Sequence, residues 1–143
     1  MKAKIHVSAA ILATLCVISF FSITLLVELF GTLDQVAWIK SIIVFPGLFI
    51  LIPAMAITGA TGASLAKHRK GRLIQEKQKR MKIIAANGLL ILIPSALVLH
   101  YWASLGQFNL AFYTVQVLEL TAGFINASLM IMNANKGRKL AHK

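Results

Sequence analysis

The chain has 143 residues, of which 58% are hydrophobic and only 13% are charged, and its formal net charge is +11. Such an apolar composition excludes an ordinary soluble globular domain and indicates a multi-pass membrane protein. The excess positive charge is typical of nucleic-acid binders, but here the basic residues gather at the ends of apolar segments. That placement predicts orientation in the bilayer and contact with anionic lipids, with no nucleic-acid partner.

Four apolar segments are each long enough to cross about 30 Å of hydrocarbon as a helix. They cover residues 5–30, 38–66, 82–105 and 109–133. The apolar run of the first is too long for a signal peptide, so we expect it to remain as a transmembrane helix. The outer connections are short, which favours antiparallel neighbours. The expected fold is therefore a single-domain, all-α, integral-membrane four-helix bundle with up-down-up-down topology.

The basic residues lie mainly on one side of this expected bundle. Eight of the fifteen Lys and Arg residues fall in the connection 67–82, two precede the first segment, and four lie in the basic tail 134–143. Lys40 alone falls on the opposite side. The positive-inside rule then places both termini and the connection in the cytoplasm, which predicts a multi-pass protein of a bacterial inner membrane.

The basic connection is expected to be partly helical. Residues 72–81 are good helix formers, so the third helix should begin near Arg72 after a break at Gly71. Glu76 and Arg80 have the spacing of an i,i+4 ion pair. The cationic side chains can then reach anionic lipid head groups or an acidic partner protein. The residues assigned to this contact are Lys67, Arg69, Lys70, Arg72, Lys79 and Arg80.

The second segment has features that favour bending and close packing. Pro46 and Pro53 lie inside it and should produce a kink or a local defect, as Pro94 should in the third segment. Ten of the thirteen residues 54–66 are Ala, Gly, Ser or Thr. Small residues at four-residue spacing predict close helix contacts within the bundle or across a dimer. They form two rows, one of Ala54, Thr58 and Gly62 and one of Gly59 and Ala63.

Glu119 is the strongest candidate for chemistry, because an ionisable group at membrane depth is costly and commonly marks a functional site. It lies near the middle of the fourth segment. Polar and small residues recur with it at three- and four-residue steps, which predicts one stripe facing the bundle interior or a cavity. The stripe is either a structural hydrogen-bond network or a site for a ligand, ion or proton. Its members are Tyr113, Gln116, Glu119, Gly123, Asn126, Met130 and Asn133.

His100 of the third segment is within side-chain reach of Glu119 if the helices are neighbours, since their heights differ by about 6 Å. A carboxylate beside an imidazole can share a proton or hold a polar substrate, although a histidine at this level is also a common boundary residue. Asn87 of the same segment is expected to bond across helices. The candidate ligand-binding residues are thus Glu119, Gln116, His100, Asn126 and Tyr113.

Two further pairings follow from the positions of charged and imidazole side chains. Glu28 ends the first segment and Lys40 begins the second, so we expect a structural ion pair at the outer water boundary. His6 and His68 are the one pair of histidines that could hold haem b, although the pattern demands no cofactor. A single cysteine and scattered histidines predict no metal site. No arrangement of catalytic residues is present, which favours a non-enzymatic role.

These patterns leave three functions open. The first is a transporter or channel for a small polar solute, ion or proton, centred on Glu119 and acting as a homodimer because four helices barely enclose a pathway. The second is a non-catalytic accessory or assembly subunit that docks on a larger membrane complex through the small-residue face. The third is a haem- or quinone-linked membrane redox protein.

Overall fold

The computed structural model describes residues 1–142, is 90% helical, and contains four long helices. The first helix is Lys2–Phe30, the second Leu33–Ala66, the third Arg72–Ser104 and the fourth Leu110–Ala141. Each is long and apolar enough to cross a membrane. This confirms the all-helical fold class and agrees with a multi-pass membrane protein.

The helix ends differ from the sequence expectation in two places. The second helix begins at Leu33, five residues before the predicted start, because Thr32 and Gln35 form a capping box. The fourth helix continues to Ala141, so most of the predicted basic tail is helical. The third helix begins at Arg72 as expected, and Gly71 before it has φ +144°, a conformation that favours glycine.

The second and third helices each contain a π-helical segment beside a proline, which confirms the predicted defects at Pro46 and Pro94. Pro53 instead lies within the regular α-helix Phe49–Ala66. In the second helix the segment is Ile43–Leu48, and Phe45 before Pro46 has non-helical dihedrals (φ −139°, ψ 117°). In the third helix the segment is Gly88–Leu92, immediately before the turn that contains Pro94. Proline lacks the N–H that continues the helical ladder, so the backbone changes its hydrogen-bond register beside it.

One of the two predicted rows of small residues packs within the chain. Ala54 and Thr58 are buried, and a Cβ added at Gly62 would lie 3.1 Å from the His6 ring. This row therefore allows the first and second helices to approach closely. The other row does not make such a contact, because nothing lies within 4 Å of a Cβ added at Gly59 and Ala63 is exposed.

Buried side chains from the helices form two core clusters. The first core cluster lies toward the Lys67–Gly71 connection and consists of Ala13, Val17, Ala54, Ile84, Ala127 and Met130. The second core cluster contains residues from the second, third and fourth helices, namely Val36, Leu99, Ala103 and Phe112. Polar and charged side chains lie along the helices between these two clusters, and they form the candidate site.

Candidate functional site

The start of the second helix sets the position of Lys40. The Thr32 hydroxyl accepts a hydrogen bond from the Gln35 amide, and the Gln35 side chain accepts one from the Thr32 amide. The helix therefore begins at Leu33, and Lys40 lies seven residues, or about 10 Å, further along its axis. Val36, one turn before Lys40 on the same face, belongs to the second core cluster. Lys40 consequently points into the protein, and only 1% of its side chain is exposed.

The fourth helix brings Glu119 to this lysine. The Asn109 side chain caps the helix by accepting a hydrogen bond from the Phe112 amide. Glu119 follows the first helical residue by nine positions, about 13 Å along the axis. Lys40 Nζ donates to Glu119 Oε2 at 3.0 Å, and Gln116 Nε2 donates to the same oxygen at 3.3 Å. The Glu119 side chain is 13% exposed, so this ion pair is largely removed from solvent.

The predicted ion pair between Glu28 and Lys40 is therefore wrong, because Lys40 binds Glu119 instead. Glu28 lies on the face of the first helix that also carries buried Thr24, one turn earlier. Its carboxyl is in electrostatic range of both Lys40 and Glu119, and its Oε1 is buried without a hydrogen-bond partner. The reason for the error is the helix start: with the helix beginning at Leu33, Lys40 lies too deep to be a boundary residue.

We call Glu28, Lys40, Gln116 and Glu119 the acid–lysine cluster. It contains two carboxyl groups and one ammonium group. Gln116 Oε1, like Glu28 Oε1, is buried and accepts no hydrogen bond. Buried acceptors without donors are costly in apolar surroundings, and so is an unbalanced negative charge. The cluster therefore has the composition of a site that can take up a proton or a small cation.

The rest of the predicted polar stripe on the fourth helix is largely confirmed, with one exception. Gln116, Gly123, Asn126, Met130 and Asn133 are all buried. Tyr113 is instead 43% exposed, and its ring packs edge-on against buried Phe112. The inward face at this height is thus set by Phe112, and the prediction that Tyr113 faces the interior is wrong. The structure does not bring Tyr113 to the acid–lysine cluster.

The Asn126 side chain forms hydrogen bonds with the third helix. Its Oδ1 accepts a hydrogen bond from Asn87 Nδ2 at 2.8 Å, and its Nδ2 donates to the Ile84 carbonyl at 3.3 Å. Asn87 Nδ2 also donates to the Ala122 carbonyl at 2.9 Å. These bonds join the third and fourth helices beside the π-helical segment and confirm the expectation for Asn87. They give Asn126 a structural role between the two helices.

His100 does not bond to Glu119, whose side-chain partners are Lys40 and Gln116. The ring of His100 is partly buried, and its Nδ1 has no hydrogen-bond partner among residues 1–142. It lies one turn from buried Ala96 on the third helix, next to the second core cluster. The imidazole therefore has an open donor or acceptor position, but it is not a member of the bonded cluster.

The basic connection is helical from Arg72 onward, as expected, and its residues have several roles. Glu76 pairs with Arg72 at 3.1 Å and with Lys136 of the fourth helix, so the predicted pair with Arg80 is wrong. Arg80 is partly buried, and its Nη1 has no hydrogen-bond partner. The other residues assigned to lipid or partner contact are exposed, as such a contact requires; they are Lys67, Arg69, Lys70, Arg72 and Lys79.

The histidines considered for haem b have different surroundings. His6 Nδ1 lies 3.2 Å from the Thr58 carbonyl and 3.1 Å from Thr61 Oγ1, so the ring is held against the second helix. His68 is exposed in the connection between the second and third helices. Residues 1–142 contain no group of three or more His, Cys, Asp or Glu side chains placed to hold a metal ion.

No protein-family model, curated protein or solved structure matches this chain. The proposed function therefore depends on the residues of the chain alone.

Proposed function

We propose that this chain is a small transporter or channel of a bacterial inner membrane that moves a proton or small cation through the acid–lysine cluster. The observation that carries this proposal is the excess of carboxylate over ammonium in a buried position, together with the unpartnered Glu28 Oε1. A proton or cation on Glu28 supplies both the missing charge and the missing donor. Ionisable groups at membrane depth commonly mark ion and proton pathways.

The mechanism that fits this geometry is an exchange of Lys40 between two carboxylates. In one state Lys40 binds Glu119, as observed, and Glu28 carries the proton or cation. In the other state Lys40 turns to Glu28, and Glu119 becomes the free carboxylate that receives the transported charge. Glu28 lies two residues from the end of its helix, whereas Glu119 lies about 13 Å inside its own. The free carboxylate is therefore at one depth in the membrane when Lys40 binds Glu119 and at another depth when Lys40 binds Glu28.

The proposed orientation follows the distribution of charge. In an up-down-up-down bundle with both termini inside, the Lys67–Gly71 connection is cytoplasmic and the acid–lysine cluster lies in the outer half of the membrane. The basic residues then face the anionic leaflet. The outer end of the pathway begins at Glu28, and the inner half must open beside the π-helical segments, where the helix backbone is already irregular.

The test is proton uptake by proteoliposomes that hold the purified protein and an internal pH dye. A potassium gradient with valinomycin sets the membrane potential. The wild type should acidify the lumen, and Glu28→Gln should lose most of this flux while the protein elutes as a monodisperse species. Asp34→Asn is the matched control, because Asp34 is exposed at the start of the second helix. Equal flux in Glu28→Gln and wild type would remove Glu28 from the mechanism, and leak-level flux in the wild type would remove proton transport.

An accessory or assembly subunit is the second candidate, and the row formed by Gly59 and Ala63 favours it. Nothing packs within 4 Å of a Cβ at Gly59, so a helix of a second copy or of another subunit can approach there. Under this proposal the ion pair of Lys40 and Glu119 holds the second and fourth helices together. A stable partner that remains bound in mild detergent, with no flux in proteoliposomes, would favour this function over transport.

A further inference from the structure

A layer of four positions, three of which carry polar side chains, lies two helical turns beyond the first core cluster, at the end that carries the Lys67–Gly71 connection. Each member is seven residues from a residue of that cluster, which places it on the same helix face. Starting from Ala13, Ala54, Ile84 and Met130, these positions are His6, Thr61, Lys77 and Gly137. The layer shares no residue with the acid–lysine cluster.

Contacts join these positions in two pairs. His6 Nδ1 lies 3.1 Å from Thr61 Oγ1. A Cβ added at Gly137 would lie 3.2 Å from Lys77 Nζ, so the ammonium group is packed against the backbone of the fourth helix. Asn133 Nδ2 donates to the Lys77 carbonyl at 3.4 Å. Lys77 is also in electrostatic range of His6 and Arg69.

Two cations lie on the inward face of the third helix without an acidic partner. Lys77 and Arg80 are three residues apart and lie four or seven residues before buried Ile84, so they share its inward face. Lys77 makes no side-chain hydrogen bond or ion pair within residues 1–142, and Arg80 Nη1 is buried without a partner. The nearest acid in the sequence, Glu76, is already bound by Arg72 and Lys136.

We propose that Lys77 and Arg80 form a specific binding site for one phosphate group, with Arg69 adding to the positive potential. Partly buried cations of like sign are costly unless an anion balances them. Side chains three residues apart on a helix are neighbours, so one phosphate can accept from both. The proposal is independent of the proposed transport at Glu119.

The depth of the pair favours the phosphate of a membrane lipid. The part of the third helix without Lys, Arg, Asp or Glu begins at Ile83. Arg80 and Lys77 precede it by three and six residues, or about 4 and 9 Å along the helix axis. The polar head-group layer on each side of the hydrocarbon is about 5 to 8 Å thick. A phospholipid in the adjoining leaflet therefore presents its phosphate at the height of these two side chains.

The test compares two double variants of the intact protein in detergent. Binding of phosphatidylglycerol is measured by native mass spectrometry across a lipid titration. Lys77→Gln with Arg80→Gln should weaken the first binding event at least about tenfold, because two charge-assisted hydrogen bonds are lost. The matched control, Lys82→Gln with Lys139→Gln, removes the same charge from exposed positions at the same end of the protein and should change the affinity by no more than about twofold.

Further measurements distinguish a lipid phosphate from free phosphate, and loss of the binding site from loss of the fold. A thermal shift with inorganic phosphate that is also lost in Lys77→Gln with Arg80→Gln would assign the site to a free phosphate. Binding of phosphatidylglycerol alone would assign it to a lipid. The conservative pair Lys77→Arg with Arg80→Lys keeps both charges and should retain binding. Equal weakening by the two glutamine pairs, or none by either, would overturn the proposal, because the attraction would then be that of the whole basic surface.

Discussion

Lys40 is the most completely buried charged side chain described, with 1% of its surface exposed. It lies one turn after Val36 of the second core cluster, and its ammonium group reaches Glu119. Removing both charges from water is expensive, and their attraction offsets that cost only while both partners are present. The pair is therefore better understood as a constraint on how the second and fourth helices fit together than as a large net source of stability.

At this scale we expect Lys40→Met to destabilise the protein by about 3 kcal/mol, because it leaves Glu119 buried without its cation. The double variant Lys40→Met with Glu119→Leu should recover most of that loss, since neither charge remains. The free energy of unfolding can be followed by circular dichroism in mixed detergent micelles. Additive losses in the double variant would show that the two side chains are not energetically coupled.

Asn126 is the second residue that joins helices through polar atoms. Asn126→Leu removes its bonds to Asn87 and to the Ile84 carbonyl, and we expect a loss of about 1 kcal/mol, the usual size of such bonds between membrane helices. Asn135→Leu is a fitting comparison because Asn135 is exposed on the same helix. The same unfolding measurement should leave Asn135→Leu near wild type; similar losses in both would argue against the inter-helix bonds.

At the scale of elements, the small residues of the second helix have two different environments. Gly62 faces the first helix, where His6 leaves little room, whereas Gly59 faces open space. The difference is one of helix rotation: each residue of the second row follows a residue of the first by one position, about 100°, so the two rows point in different directions. The first row is thus used for packing within the chain, and the second is available to other helices.

This difference predicts that Gly62→Val destabilises the protein while Gly59→Val leaves the isolated chain near wild type. The added atoms at position 62 must displace the His6 ring, and overpacking of this kind costs about 1 to 3 kcal/mol. The midpoint of thermal unfolding in detergent is the readout. If Gly59→Val also lowers the midpoint, the second row is packed in the protein as purified, as it would be in a dimer.

At the scale of the whole molecule, positive charge is concentrated at one end. Residues near the N-terminus and on the last turns of the fourth helix contact the region around the Lys67–Gly71 connection, through His6 with Thr61 and through Lys136 with Glu76. The concentration of cations at that end is the physical basis for the proposed cytoplasmic orientation.

The orientation predicts opposite labelling of two engineered cysteines in a Cys16→Ala background. In intact cells a membrane-impermeant maleimide should label Gln107→Cys and leave Lys70→Cys unlabelled until the cells are broken open. Both positions are exposed, so accessibility within the protein does not limit the reaction. Labelling of Lys70→Cys in intact cells would reverse the proposed topology.

The sequence by itself determined the four long helices, the start of the third helix, the defects beside Pro46 and Pro94, and most of the inward face of the fourth. Each of these depends on local hydropathy, periodicity or backbone chemistry. A further local signal, the capping box of Thr32 and Gln35, was present but missed, and the misplaced helix start put Lys40 at the water boundary.

Only the tertiary structure decided which charges meet. Hydropathy indicates that Glu119 faces inward, but its partner depends on the rotation and depth of the neighbouring helices. The start of the second helix, five residues earlier than predicted, changes the expected depth of Lys40 by several ångströms. The packing of the helices also leaves Tyr113 exposed and pairs Glu76 with Lys136. It leaves Lys77 and Arg80 without an acidic partner. Pairings between distant residues depend on packing, which no single segment encodes.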